Sequence, residues 1–127
     1  NQFPNSEYLS KVNELMEDLR GKLERKAFEN AKLYLDIEDY EAAILAFDNA
    51  LYDYPDIRYK EQILYLQLKA HLKLAQKSVL EKQQLRLKEA MAACQEYLTA
   101  YPNGKYTSDA KGIEKDLNKL KEQLSNS

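Results

Sequence analysis

The side chains that could perform acid–base or nucleophilic chemistry are few in this sequence of 127 residues. His71 carries an imidazole, which titrates near neutral pH and could serve as a general base. It lies between Ala70 and Leu72 on a predicted helix, however, and no serine, cysteine or carboxylate stands at the spacing of a catalytic triad. Cys94 aligns with Phe47 in an internal repeat, which indicates a small core residue rather than a nucleophile. We therefore predict no catalytic residues and no enzymatic activity.

Motifs for metals and cofactors are missing from the sequence as well. A single cysteine and a single histidine can supply neither the ligands of a zinc site nor an internal disulfide. Gly21, Gly104 and Gly112 are scattered, so they do not form a phosphate-binding loop. The acidic turn at 36–39 lacks the glycine and the distal glutamate of a calcium loop. We expect neither a metal nor a cofactor.

The charge balance argues against nucleic acid as a partner. Lys and Arg total 19 against 21 for Asp and Glu, so there is no basic excess that would release counterions from DNA or RNA. No stretch approaches the roughly 20 apolar residues of a membrane span, and no signal peptide opens the sequence. The chain as given is expected to be soluble.

One set of side chains is better explained by protein binding. Leu45, Asn49 and Tyr52 recur at i, i+4 and i+7 on the face of a predicted helix opposite its core stripe. An apolar stripe on the surface of a helix is typical of a docking face. Packing against another repeat or against a crystal neighbour would explain the stripe equally well.

The elements that position these side chains are predicted to be α-helices. The strong helix formers Ala, Leu, Glu, Lys, Arg, Gln and Met make up 75 of the 127 residues, whereas Val, Ile and Thr contribute only 9. An unbroken apolar period predicts a long first helix from about Ser6 to Leu35, followed by a tight turn at 37–39. The segment 63–74 is apolar on two faces, which indicates a helix packed between neighbours. Ser78 and Glu81 then have the spacing of a capping box.

Two internal repeats organise these helices. An aromatic-proline segment occurs three times, at 3–8, 54–59 and 101–106. In each segment the proline stops a helix, the adjacent Asn or Asp can cap the next one, and the two aromatic rings can meet across the corner. Upstream of the second and third segments, residues 39–47 match residues 86–94 at a constant offset of 47. The pattern predicts successive helical hairpins.

These residues resemble a tetratricopeptide repeat. The small and aromatic signature over about 24–57 consists of Ala31, Tyr34, Tyr40, Ala43, Phe47, Ala50 and Pro55. A second unit over about 63–104 fits at Ala70, Ala90, Tyr97 and Pro102 and carries an inserted turn around Ser78, and 107–124 would be a capping helix. The resemblance implies one all-α domain over 1–127, a right-handed stack of helical hairpins with about five helices.

The segment at 3–8, the very long helix that follows and the helix ending at 53–56 resemble one family in particular, the BamD-like (YfiO-like) outer-membrane protein assembly lipoproteins. The resemblance covers only the C-terminal half of the family's protein, so the sequence is expected to be a fragment of a longer chain. It implies a non-enzymatic scaffold at the periplasmic face of the bacterial outer membrane, held by a lipid anchor outside this sequence. The implied partners are the POTRA domains of the barrel-assembly protein.

A generic tetratricopeptide adaptor that binds a peptide in its inner groove is the alternative. Resemblance to such repeats implies that the groove is lined by Arg25, Phe28, Lys32, Leu35, Gln67 and His71. Arg25 and Lys32 would then hold an acidic or C-terminal carboxylate through charge-assisted hydrogen bonds.

Overall fold

The structure is a computed structural model that describes residues 2–126, with side chains from residue 5 onward. Its five helices are α1 (Gln2–Asp36), α2 (Tyr40–Asp53), α3 (Lys60–Lys77), α4 (Leu80–Ala100) and α5 (Thr107–Ser125). No strand occurs among the described residues. The predicted all-α fold with a long first helix is confirmed.

The helices stack in chain order, as in tetratricopeptide-like proteins. Each helix packs on the next one, and α3 contacts α5 in addition to α2 and α4. Two apolar clusters result, one between α1, α2 and the start of α3, the other between α3, α4 and α5. Because α3 contributes Ile63 to the first cluster and Leu64 and Leu68 to the second, it is apolar on two faces as predicted.

The start of α1 differs from the prediction. The helix begins at Gln2 rather than near Ser6, so the first aromatic-proline segment lies within α1 and is not a corner between helices. Pro4 is compatible with this position because the N–H groups of a first helical turn have no partner inside the helix. At about 50 Å, α1 is much longer than α2.

The other two aromatic-proline segments do connect helices, at 54–59 and 101–106. Their local chemistry differs from the prediction, however. Tyr59 and Tyr106, not the Asn or Asp beside the prolines, occupy the N-cap positions of α3 and α5, and neither makes a side-chain capping bond. The rings within a segment do not stack on each other. Tyr59 stacks instead on Phe28 of α1, and Tyr106 stacks on Tyr65 of α3.

The turn between α1 and α2 is tight, as predicted. Glu38 adopts the left-handed conformation with φ of 60°. Asp39 follows as the N-cap of α2, and its Oδ1 accepts a hydrogen bond from the backbone N–H of Ala42 at 3.2 Å.

The turn between α3 and α4 contains only Ser78 and Val79. The extra residues of the second unit are therefore helical, so they lengthen α3 and α4 and do not form an enlarged turn. The predicted capping box is wrong as well. Val79 is the N-cap of α4, while the Ser78 hydroxyl donates to the carbonyl of Leu74 and accepts from Arg86.

Candidate partner-binding surface

The outer face of α2 carries the predicted docking residues. Ala43, Phe47 and Ala50 on the opposite side are buried, which fixes the rotation of the helix. Leu45 is therefore 61% exposed and Tyr52 is 86% exposed. Asn49 is exposed between them. The structure thus places the three predicted residues on one solvent-facing stripe, which we call the α2 face.

The charged side chains of α2 itself have one sign. The charged residues of α2 are Glu41, Asp48 and Asp53, and the helix contains no lysine or arginine. Glu41 is paired with Arg86 of α4, and Asp48 accepts a hydrogen bond from Gln67 of α3. The α2 face is consequently an apolar stripe, and two of the three acidic side chains on the same helix already have partners within the fold.

The residues of the predicted inner groove on α1 are mostly engaged within the fold. Phe28 is only 6% exposed, and its ring stacks on Tyr59 and tilts against Phe47. Lys32 lies over the Phe28 ring, with its ammonium 5.3 Å from the ring centroid. Leu35 packs against the same apolar cluster. Arg25 is exposed, and its hydrogen bond with the Tyr59 hydroxyl raises the pKa of the guanidinium.

The groove residues predicted on α3 also have partners in the fold. Gln67 is buried, and its amide donates to Asp48 Oδ1 at 2.7 Å and to the carbonyl of Ile44 at 3.1 Å. Burial lowers the pKa of His71, although the carboxylates of Glu89 and Asp48 act in the opposite direction. His71 is therefore a neutral imidazole near pH 7, which does not provide a cationic clamp. Gln67 contacts α2, and His71 lies between α2 and α4.

Cys94 occupies the core position that the repeat predicts. It is 1% exposed, and its Sγ lies 3.6 Å from the carbonyl oxygen of Ala110. Burial raises the pKa of this thiol to about 11. Because the thiolate is the reactive form, Cys94 is not an activated nucleophile.

One repeated arrangement was not predicted from the sequence, and we call it the corner clamp. A glutamate on α1 or α3 accepts a hydrogen bond from a backbone N–H near the end of an aromatic-proline segment, one residue before the tyrosine that ends the segment. The aromatic residue four positions after that glutamate stacks on this tyrosine. In the first clamp, Glu24 accepts from Arg58 at 3.2 Å, and Phe28 stacks on Tyr59 with ring centroids 4.6 Å apart.

The second corner clamp has the same geometry. Glu61 accepts from the N–H of Lys105 at 2.7 Å, and Tyr65 stacks on Tyr106 with centroids 4.3 Å apart. The available sequence signal is a glutamate followed four residues later by an aromatic, at 24–28 and again at 61–65. The internal match at an offset of 47 does not detect this signal, because the two Glu-to-aromatic pairs on α1 and α3 are 37 residues apart.

Comparison with known proteins gives the family. The profile of the YfiO family, described as outer membrane lipoprotein, matches residues 1–87, which run from the start of α1 into α4. No curated protein matches the chain significantly. Between residues 2 and 126, none of the helices is both long and apolar enough to cross a membrane. Since the matched region is more than half of the sequence, the chain belongs to the YfiO family of outer membrane lipoproteins.

Proposed function

We propose that the chain is a non-enzymatic scaffold that binds a protein of the outer-membrane β-barrel assembly machinery through the α2 face. Membership of the YfiO family supports an assembly role. By the resemblance described above, the partners are the periplasmic POTRA domains of the barrel-assembly protein, and binding takes place at the periplasmic face of the outer membrane.

The observation that carries this proposal is the exposure of Leu45 and Tyr52 on a helix that is packed on its other sides. Because Tyr52 is 86% exposed in the free chain, a partner that covers it would remove most of its side-chain surface from water. Aromatic and aliphatic side chains at the centre of an interface are the usual hot spots of protein binding. The rigid packing of α2 against α1 and α3 keeps these two side chains in position before the partner arrives.

The test replaces both residues, as Leu45→Glu with Tyr52→Glu. We expect the affinity for the isolated POTRA domains, measured by biolayer interferometry, to fall at least roughly 30-fold, because two hot-spot truncations cost about 1 kcal/mol or more each. Far-ultraviolet circular dichroism should remain unchanged, since both side chains face solvent.

A matched control is the Leu80→Glu, Leu85→Glu variant. These two leucines on α4 are 68% and 62% exposed, so the control makes the same kind of change on another helix. It should bind POTRA domains as the unaltered chain does. Equal binding by the α2-face variant and the unaltered chain would reject the α2 face as the contact.

A further inference from the structure

A second surface lies in the groove between α3 and α5. The groove encloses about 630 Å³. Its floor includes Leu72 and Ile113, which are only 8% and 9% exposed. Gly112 forms part of its wall, and a Cβ atom added there would meet nothing within 4 Å. The groove is therefore open, partly apolar at its base and separate from the α2 face.

The rim of this groove is basic. Two lysines one turn apart stand on each wall, Lys69 and Lys73 on α3 and Lys115 and Lys119 on α5. All four are exposed. The ion pairs within the described part of the chain are Arg20 with Glu24, Lys77 with Glu38, and Arg86 with Glu41, so none of them neutralises a groove lysine.

The two acidic residues in the groove do not cancel this charge. The lining carries four lysines against Asp109 and Asp116, which leaves two positive charges in a chain whose net charge is −2. Asp109 already accepts a hydrogen bond from the Tyr65 hydroxyl at 3.4 Å. The groove is thus locally opposite in sign to the molecule as a whole.

The second corner clamp adds to the basic character at one end of the groove. The stacked rings of Tyr65 and Tyr106 are each covered by an ammonium group, Lys69 at 5.4 Å and Lys105 at 5.6 Å from the ring centroids. Cation–π contacts of this kind hold a lysine in place while leaving its N–H donors free for another acceptor.

We propose that the α3–α5 groove binds an acidic, extended segment of a protein partner, with alternate carboxylates paired to the lysines and the intervening apolar side chains directed toward Leu72 and Ile113. Carboxylates at alternate positions of an extended chain are about 6.6 Å apart. Lysines at i and i+4 on a helix have nearly the same separation, about 6 Å. The groove and its charge are independent of the α2 face, so this inference stands or falls separately from the proposed function.

A concave site favours a peptide over a membrane surface. An acidic headgroup layer is broad, and it would contact exposed lysines without reaching a recessed floor at Leu72 and Ile113. A peptide strand can enter the groove and use both its charge and its apolar base. Anionic vesicles are therefore the competing occupant in the test.

The probe is a fluorescent peptide of about ten residues in which Glu and Leu alternate, with a Gln-for-Glu version as its control. Fluorescence anisotropy should show saturable binding of the acidic peptide to the full chain and at least roughly tenfold weaker binding of the Gln version. Binding should weaken as sodium chloride rises from about 0.05 to 0.3 M, because salt screens exposed charges.

The groove variant carries Lys69→Gln, Lys73→Gln, Lys115→Gln and Lys119→Gln. A matched variant with Lys11→Gln, Lys26→Gln, Lys82→Gln and Lys88→Gln makes the same change in net charge at exposed positions outside the groove. We expect at least a roughly tenfold loss of affinity in the first and less than a twofold change in the second. A further variant, Gly112→Leu, fills the groove, keeps every charge and should also weaken binding.

Three outcomes would overturn the proposal. Equal loss in the groove and matched variants would mean that only net charge matters. Unchanged binding by Gly112→Leu would remove the groove from the explanation. Tight binding of phosphatidylglycerol vesicles, with no saturable binding of the acidic peptide, would assign the lysines to a membrane surface.

Discussion

At the residue scale, one buried phenol joins the last two helices to α3. The hydroxyl of Tyr97 donates to Glu61 Oε2 at 3.0 Å and accepts the backbone N–H of Tyr106 at 2.9 Å. Glu61 also accepts the N–H of Lys105, so a single carboxylate oxygen receives donors from α4 and from the second corner. Burial raises the pKa of Tyr97, as expected for a phenol that is 0% exposed and is kept neutral.

Gly104 lies at the centre of this network. A Cβ atom added there would overlap Glu61 Oε2 and would approach Tyr101 Cβ to 2.8 Å and the Tyr97 hydroxyl to 3.0 Å. The Gly104→Ala variant should therefore be destabilised by about 1–3 kcal/mol, because the network must move to admit one methyl group. Urea denaturation followed by circular dichroism measures the difference.

Gly21→Ala is the control for that measurement. Gly21 is helical and has open space around the added Cβ, so alanine should raise the free energy of unfolding, by up to about 1 kcal/mol. Unchanged or increased stability of Gly104→Ala would contradict the predicted clash with the network.

At the element scale, most of the fold is predictable because each helix has a clear apolar period. Phe47 and Cys94 fall on core stripes in sequence and are 0% and 1% exposed in the structure. Leu45 and Tyr52 fall off those stripes and are exposed for the same reason. Helical periodicity therefore predicts which side faces the core, although it does not identify what binds the other side.

The details at helix ends are less predictable, because tertiary contacts outweigh local capping there. Ser78 has the spacing of a capping box, yet its hydroxyl is held by Leu74 and Arg86. Tyr59 and Tyr106 stack on aromatic rings of α1 and α3 and not on the other aromatic ring of their own segments. Phe28 and Gln67, which the resemblance places in the peptide groove, are buried by neighbouring helices.

The N-terminus of α2 permits a direct test of capping. Asp39→Ala removes the side-chain acceptor for the N–H of Ala42, so the chain should lose about 1 kcal/mol of stability. Asp53→Ala at the other end of α2 is the control, and it should be neutral or slightly stabilising because an acidic group opposes the helix dipole there. The midpoint of thermal unfolding reports both changes, and equal midpoints for the two variants would contradict the capping role.

At the scale of the whole molecule, contacts pass from each helix to the next along the stack. The N-terminal part of α1 has little of this support, since Leu9, Leu15, Met16 and Leu19 are more than half exposed. The other end is better covered, because α5 packs on both α4 and α3. In helical stacks of this kind, the end units open more readily than the middle ones.

The position of Cys94 allows the opening of the α5 end to be measured as a rate of thiol labelling. The single thiol lies beneath α5, next to the Ala110 carbonyl, so a thiol reagent can reach it only after α5 lifts away. With dithionitrobenzoate in excess near pH 7, we expect labelling orders of magnitude slower than in the urea-unfolded chain, with a rate that reports the free energy of local opening. Immediate labelling of the native chain would show that α5 does not seal this end. The labelling rate of Cys94 therefore measures how often α5 detaches from the helices beneath it.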